Sequence, residues 1–344
     1  MPVIMPPITP SSPPTSGPLD LERLRARLSG ECSEWMIESV AETGSTNADL
    51  LQRFSDQSQN TRSRLKQLSD ALSWPQACAA FPPCARVADT QTAGRGRLGR
   101  PWRSASGKSL LFSLGIVMPR PVGALSGLSL AVGLGVIDGL RALPLSEPLR
   151  LGLKWPNDIL LDDAKLGGIL IETAASTAHA CALVIGIGLN IDPPPAPPSE
   201  PEQVRPDGAG IAAAASPSMA SALPAAHLAT LLPPALRDAP RDALLSDVFA
   251  AVLPAVAAVL ARFATDGLAP FSERWWDVHR FAQRSVSVIE NGEAKVSGTA
   301  VGIDQYGRLL IDASNGNGAP ARVTVTAGDV SLRLATAAVG DTHA

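Results

Sequence analysis

Cysteine, histidine, long apolar runs and net charge are all scarce in this sequence, and each shortage removes a class of function. The four cysteines among 344 residues, Cys32, Cys78, Cys84 and Cys181, form no CxxC pair and no disulfide-like framework. Such usage fits reduced thiols in the cytoplasm. The four histidines, His179, His227, His279 and His343, are scattered, so no cluster has the spacing of a protein zinc site. The longest apolar run, Val248–Ala261, has 14 residues and contains Pro254; a bilayer span needs about 20. It is expected to form a buried amphipathic helix, bent near the proline. The N-terminal MPVIMPPITPSSPPTSGP, with 7 prolines in 18 residues, lacks the apolar core of a secretory signal. With 29 Lys+Arg against 32 Asp+Glu and a pI near 5.9, the chain has no positive surplus for general nucleic-acid binding. The reading is a cytoplasmic protein with neither membrane nor nucleic acid as partner.

What remains is a soluble globular composition, 45% hydrophobic and 18% charged. The length suffices for one large domain and a small one. Residues 1–18 read as disordered, 19–281 as the large domain and 284–334 as the small one. In the large domain, 19–40 suggests a short helix and then a strand. Residues 41–53 suggest strand end, loop and helix, with Ser45 or Thr46 as N-cap and Asp49 in the first turn. Residues 55–80 are polar and weakly periodic, as in a surface insertion. A strand at 84–89 and the buried strand SLLFSLGIVM (109–118) follow. The stretch 124–143, rich in small residues, reads as a helix packed tightly on a sheet. LRLGLKWPNDILLDDAKLGGILIETA (149–174) alternates, turns at Asp162-Asp163-Ala164 and alternates again, which predicts a hairpin. CALVIGIGLNID (181–192) is another strand. Residues 193–224 open with 6 prolines in 193–201 and read as an extended insertion. Helical pattern returns at 225–281. Short strands then run from 284 to 334, with a hairpin turn at Asn291-Gly292, and predict a small β-barrel.

Positive charge is local. QTAGRGRLGRPW (91–102) leads a stretch, 94–103, with four arginines and no acid. Gly94, Gly96 and Gly99 let backbone N–H groups approach a ligand, while Arg95, Arg97 and Arg100 can bind phosphate or carboxylate. The spacing is neither G-x-G-x-x-G nor a Walker A sequence. A solvated basic turn is the plain alternative. The second cluster is KWPNDILLDDAKLGGILIE. Lys154 and Lys165 fall on the two arms of the predicted hairpin, where a buried lysine is costly without an anion. They imply a shared anionic ligand or acidic partners. Pro156 marks a bulge or edge, at which Asn157 and Asp158 are re-aimed.

Together, STN (45–47), QTAGRGRLGRPW, KWPND, KLGGILIE and GIGLNI closely resemble the biotin–protein ligase family, also called biotin–[acetyl-CoA carboxylase] ligases. The likeness is strong over 38–192 and looser over 225–334. It implies an α+β fold: a central mixed β-sheet flanked by helices, of the class II synthetase-like type, followed by an SH3-like barrel. It implies that biotin and Mg-ATP form biotinyl-5′-AMP, and that the biotinyl group passes to a lysine of a biotin carboxyl carrier protein. Biotin, ATP and Mg²⁺ are the implied small molecules, and the form is a monomer or homodimer. By position, Ser45, Thr46, Asn47 and Gln91 match biotin contacts. Arg95, Gly96 and Arg97 match the loop that folds over biotin and the adenylate, with Trp102 packed against it. Lys165 matches the lysine that bonds biotin's carboxylate and the α-phosphate; Lys165 and Arg97 are the implied catalytic pair. Lys154, Asn157, Asp158 and Asn190 match the nucleotide side, with the metal near Asn157 and Asp158 and no protein-only metal site. The alternatives are a lipoate- or octanoyl-type ligase and a regulator that holds biotinyl-AMP without transferring it. Only 44 residues precede Ser45, so an N-terminal DNA-binding domain is not expected.

Overall fold

The computed structural model describes residues 17–56, 58–67, 72–193, 223–290, 293–314, 320–327 and 330–334. Residues 1–16, most of the expected 193–224 insertion and the Asn291-Gly292 turn lie outside them. The larger unit is built on a seven-stranded mixed sheet. Its strands are β1 (Met36–Thr43), β2 (Cys84–Gln91), β3 (Ser109–Met118), β4 (Leu151–Lys154), β5 (Asp158–Leu161), β6 (Ala164–Ser176) and β7 (Cys181–Asn190), in the order β1-β2-β3-β7-β6-β5-β4. The β1–β2 pair is parallel and the others antiparallel.

Central strand β3 is buried along its whole length, which explains its unbroken apolar sequence. The helices are α1 (Leu21–Arg27), α2 (Thr46–Asp56), α3 (Ser58–Gln67), α4 (Trp74–Ala80), α5 (Leu128–Arg141), α6 (Pro234–Arg237), α7 (Arg241–Asp266) and α8 (Ser272–Val278). One face of the sheet packs on α5 and α7, where Phe112 meets Phe249 edge-on at 5.1 Å. The other face packs on α2 and α3 through Leu50, Leu65, Val117 and Val184. Helix α7 extends well past the apolar run, includes Pro254, and is long and apolar enough to cross a membrane; 67% of that stretch is buried inside the fold.

The small unit is a five-stranded antiparallel sheet of β8 (Ser285–Glu290), β9 (Glu293–Ile303), β10 (Leu309–Ser314), β11 (Pro320–Val325) and β12 (Val330–Leu334), ordered β11-β10-β9-β8-β12. The end strands are not paired with each other among the described residues, so the expected barrel is present there as an open sheet. The two units share one apolar core through Val286, Val288, Leu309 and Leu332. Trp155, fully buried, donates its indole N–H to the Gly307 carbonyl at 3.0 Å.

Four sequence expectations change. The described residues of 55–80 belong largely to packed helices, α3 and α4 and the end of α2, rather than a surface insertion; Leu65, Trp74 and Ala77 are buried. Gly17 and Pro18, read as part of a disordered tail, pack on the fold, with Gly17 against the backbone of Ser39 and Val40. The single hairpin over 149–174 is a three-stranded meander: the chain turns once at 155–157, where the Trp155–Pro156 bond is cis, and again at Asp162-Asp163. The small residues of α5 serve a helix more than the sheet. A Cβ on Gly139 would lie 2.5 Å from Val252 Cα and 2.6 Å from the Ala251 carbonyl oxygen on α7.

That contact yields a stability prediction. Alanine's helix propensity exceeds glycine's by about 1 kcal/mol. Overpacking against backbone costs roughly 1–3 kcal/mol and outweighs it. Gly139→Ala is therefore expected to lower the unfolding free energy by about 1–2 kcal/mol in chemical denaturation. A higher midpoint would show that the helices separate freely.

Candidate active site

The cavity, of about 310 Å³, opens on the α2 face of the sheet. Missing side chains create it. Gly168 on β6 and Gly186 and Gly188 on β7 form its floor. A Cβ on Gly188 would lie 2.8 Å from the Trp102 ring, and one on Gly186 2.3 Å from Asn47 Oδ1. Side chains there would fill the space that Trp102 and Asn47 now enter.

One wall carries the lysines. Lys154 pairs directly with Asp158 across β4 and β5. The β5–β6 ladder shifts register between Ile159 and Leu160, so Leu160 faces Lys165 and Asp158 faces Gly168. This bulge at Leu166 puts Lys165 on the same face as Asp158; unbroken alternation would have turned it away. Asp158 Oδ2 accepts from Lys154 Nζ at 2.8 Å, and Asp158 Oδ1 lies 2.6 Å from Lys165 Nζ. Lys154 is 8% exposed and Asp158 9%, whereas the Lys165 side chain is 34% exposed. Burial pushes the Asp158 carboxyl up, but the two ammonium groups hold it below the usual carboxylate range. The lysines thus share an acidic partner supplied by the strand between them. Both Asp158 oxygens are engaged by the lysines. Among the described residues, no three His, Cys, Asp or Glu side chains are grouped to hold a metal ion.

The Gly/Arg loop covers the cavity as a small closed arch. Gly96 N–H donates to the Arg100 carbonyl at 2.8 Å, and Trp102 N–H to the Gly94 carbonyl at 2.8 Å. Its tip passes through positive φ at Leu98 (60°) and Gly99 (67°), a conformation that favours glycine at the second position. Two arginines fasten the arch to opposite walls. Arg95 lies 3.4 Å from Glu172 on β6. Arg97 donates to Asn157 Oδ1 at 3.3 Å and to the Ala327 carbonyl of the small unit at 2.8 Å. Leu332 of β12 also lines the cavity, so both units enclose it. Lys165 Nζ sits 5.5 Å from the centre of the Trp102 ring, a cation–π distance.

The deep end is held by the start of α2. Gln91 Oε1 accepts from Thr46 N–H at 2.7 Å and from its hydroxyl at 3.1 Å. The Ser113 hydroxyl, fully buried, donates to Asn47 Oδ1 at 2.5 Å and lies 2.7 Å from Thr46 Oγ1. Asn47 Nδ2 donates to Glu172 Oε2 at 2.7 Å.

Behind β4, buried His279 donates its Nδ1–H to the Leu153 carbonyl, 3.1 Å away, and stacks on Trp275 at 4.6 Å. Burial, against that hydrogen bond and with Lys154 nearby, lowers its pKa from 6.5 to about 4. The folded form therefore refuses a proton that the unfolded chain takes below pH 6.5. Stability is lost as pH falls from about 6.5 toward 4, by about 1.4 kcal/mol per unit. Between pH 7.5 and 5 the wild-type protein is expected to lose about 2 kcal/mol more than His279→Asn. Parallel pH profiles for the two proteins would contradict this.

Of the residues singled out by sequence, Ser45, Thr46, Asn47, Gln91, Arg95, Gly96, Arg97, Trp102, Lys154, Asn157, Asp158 and Lys165 line this one cavity. Asn190 does not: it lies beyond Gly188 on β7 and donates to the Lys165 carbonyl at 3.2 Å. Sequence reading missed Ser113, Glu172 and the contribution of Ala327 and Leu332. A hydroxyl in the middle of the apolar β3 was the available signal for Ser113. Glu172 closed a quoted motif without a role.

The fold and this cavity define the class of biotin/lipoate ligases. The Biotin/lipoate A/B protein ligase family matches residues 79–190, and the Biotin protein ligase C terminal domain matches 284–333. The chain is 38% identical over 196 residues to a biotin–[acetyl-CoA-carboxylase] ligase of Mycobacterium tuberculosis, covering 56% of this chain and 62% of that one. It is 31% identical over 229 residues to the enzyme of that name from Paracoccus denitrificans, covering 65% of this chain and 82% of that one. Among solved structures, the biotin protein ligase of Aquifex aeolicus in complex with biotin and ATP superposes with a TM-score of 0.54 at 25% identity, covering 87% of this chain and 99% of that one. The chain belongs to the biotin–protein ligase family. It spans less than two thirds of the length of the Mycobacterium relative.

Proposed function

We propose that this protein activates biotin with ATP and transfers it to a lysine of a biotin carboxyl carrier protein. The observation that carries the reading is a single cavity that joins the Ser45-Thr46-Asn47 start of α2 to two lysines under an arginine arch. In the first step a biotin carboxylate oxygen bonds to the α-phosphorus of ATP, and the bond from that phosphorus to the pyrophosphate oxygen breaks. Two anions must meet, and Lys165 is the more exposed of the paired cations that offset their repulsion. Asp158 orients both ammonium groups, and Lys154 stays behind as a buried charge. The arch, fastened at both walls, keeps water from the mixed anhydride. In the second step the carrier's lysine amine attacks the acyl carbon, AMP leaves with the bonding electron pair, and the amine loses its proton. Magnesium enters as part of the nucleotide substrate. The reading includes a cytoplasmic location, where ATP and apo carrier would be available to the enzyme.

The test is to incubate purified protein with biotin, Mg-ATP and an apo carrier domain, then read one biotinyl group on the carrier by intact mass. Modification by lipoate or octanoate instead would support the other ligase type. Tight biotinyl-AMP binding without transfer would support a regulator.

A further inference from the structure

We propose that Glu172 is the positioning residue that couples the biotin end of the cavity to the arginine arch. The assignment rests on the biotin-ligase reading above. Glu172 lies on β6 opposite Val184 and does not itself line the cavity. One of its oxygens accepts from Asn47 Nδ2 at 2.7 Å. Arg95 Nη2 straddles the carboxylate, donating to that same oxygen at 3.5 Å and lying 3.4 Å from the other. Asn47 is 4% exposed, and its amide is held on both sides: Ser113 donates to its oxygen at 2.5 Å, while the Leu170 carbonyl lies 3.4 Å from its nitrogen. Among the described residues, Glu172 supplies the shorter and only charged acceptor of the Asn47 amide N–H₂, and so reinforces the way that amide faces. A charged acceptor with two oxygens can take an amide N–H from one side and a guanidinium from the other. Glutamine keeps one acceptor oxygen for Asn47, but it loses the negative charge and presents an NH₂ group to Arg95 in place of the second oxygen. One carboxylate thus fixes the amide in the deep end and fastens one foot of the arch.

The two connections separate experimentally. In Glu172→Ala both are lost. The KM for biotin is expected to rise about tenfold and biotinyl-AMP to dissociate about tenfold faster, with the KM for ATP within about twofold of wild type. In Glu172→Gln the partner of Asn47 is kept, while Arg95 loses its ion pair and faces an NH₂ group. The KM for biotin is expected to return to within about threefold of wild type while dissociation stays fast. Wild-type values for both quantities in both variants would overturn the assignment. So would an equal rise of both KM values in the glutamine variant, which would mark a merely structural residue. A wild-type protein that releases no pyrophosphate with biotin would instead overturn the functional reading beneath it.

Discussion

Lys165→Ala is expected to slow biotin-dependent pyrophosphate release by roughly 30- to 1,000-fold, about 2–4 kcal/mol of barrier. The bulge at Leu166 brings Lys165 to the cavity face, and it is the more exposed of the two cations there. Its charge is best placed to meet a carboxylate and an α-phosphate together. The substitution should spare the fold, because Asp158 keeps Lys154 at 2.8 Å as a buried partner. Thermal melting of the variant separates the two effects. A near-native melt with a severe rate loss is the expected pair of results. Pyrophosphate release at the wild-type rate would show that Lys165 is only the structural partner of Asp158.

Arg97→Gly is expected to leave adenylation largely in place and to release its product. Arg97 ties the arch to Asn157 and to Ala327 of the small unit. Removing it leaves Arg95 as the remaining side-chain tether described between the arch and the cavity walls. Biotinyl-AMP should dissociate about ten- to a hundredfold faster, corresponding to roughly 1.4–2.8 kcal/mol. Free adenylate then acylates exposed lysines at random. The check is to incubate the variant with biotin, ATP and an unrelated lysine-rich protein, and to blot for biotin. Unchanged dissociation without off-target labelling would mean that the arch does not retain the intermediate.

The parts of the site legible in sequence are those whose chemistry is compressed into a few adjacent residues. Four arginines among glycines, or a lysine two residues before Pro156 in an apolar strand, point to an anion site without knowledge of the fold. Partners brought in from distant strands gave no such signal. Asp158 was visible as a residue, but its place between Lys154 and Lys165 depends on a turn at 155–157 that splits the expected hairpin. Glu172 and Asn47 are 125 residues apart and meet only once β6 lies under α2. The fold was legible where periodicity was strong, as in β3 and α7. It was misread at 55–80, where a few apolar residues among many polar ones suffice to anchor α3 and α4. Asn190 shares a strand face with Gly186 and Gly188 but sits past the cavity's end, a distance that alternation alone does not reveal.

Pyrophosphate release measured without any carrier asks most directly whether this cavity makes an adenylate of biotin. With biotin and Mg-ATP, a rapid burst close to one pyrophosphate per chain should be followed by slow turnover, because the closed arch retains the product. Lipoate or octanoate in place of biotin should give no burst. Pyrophosphate release that is independent of biotin, or equal with lipoate, would contradict the assignment.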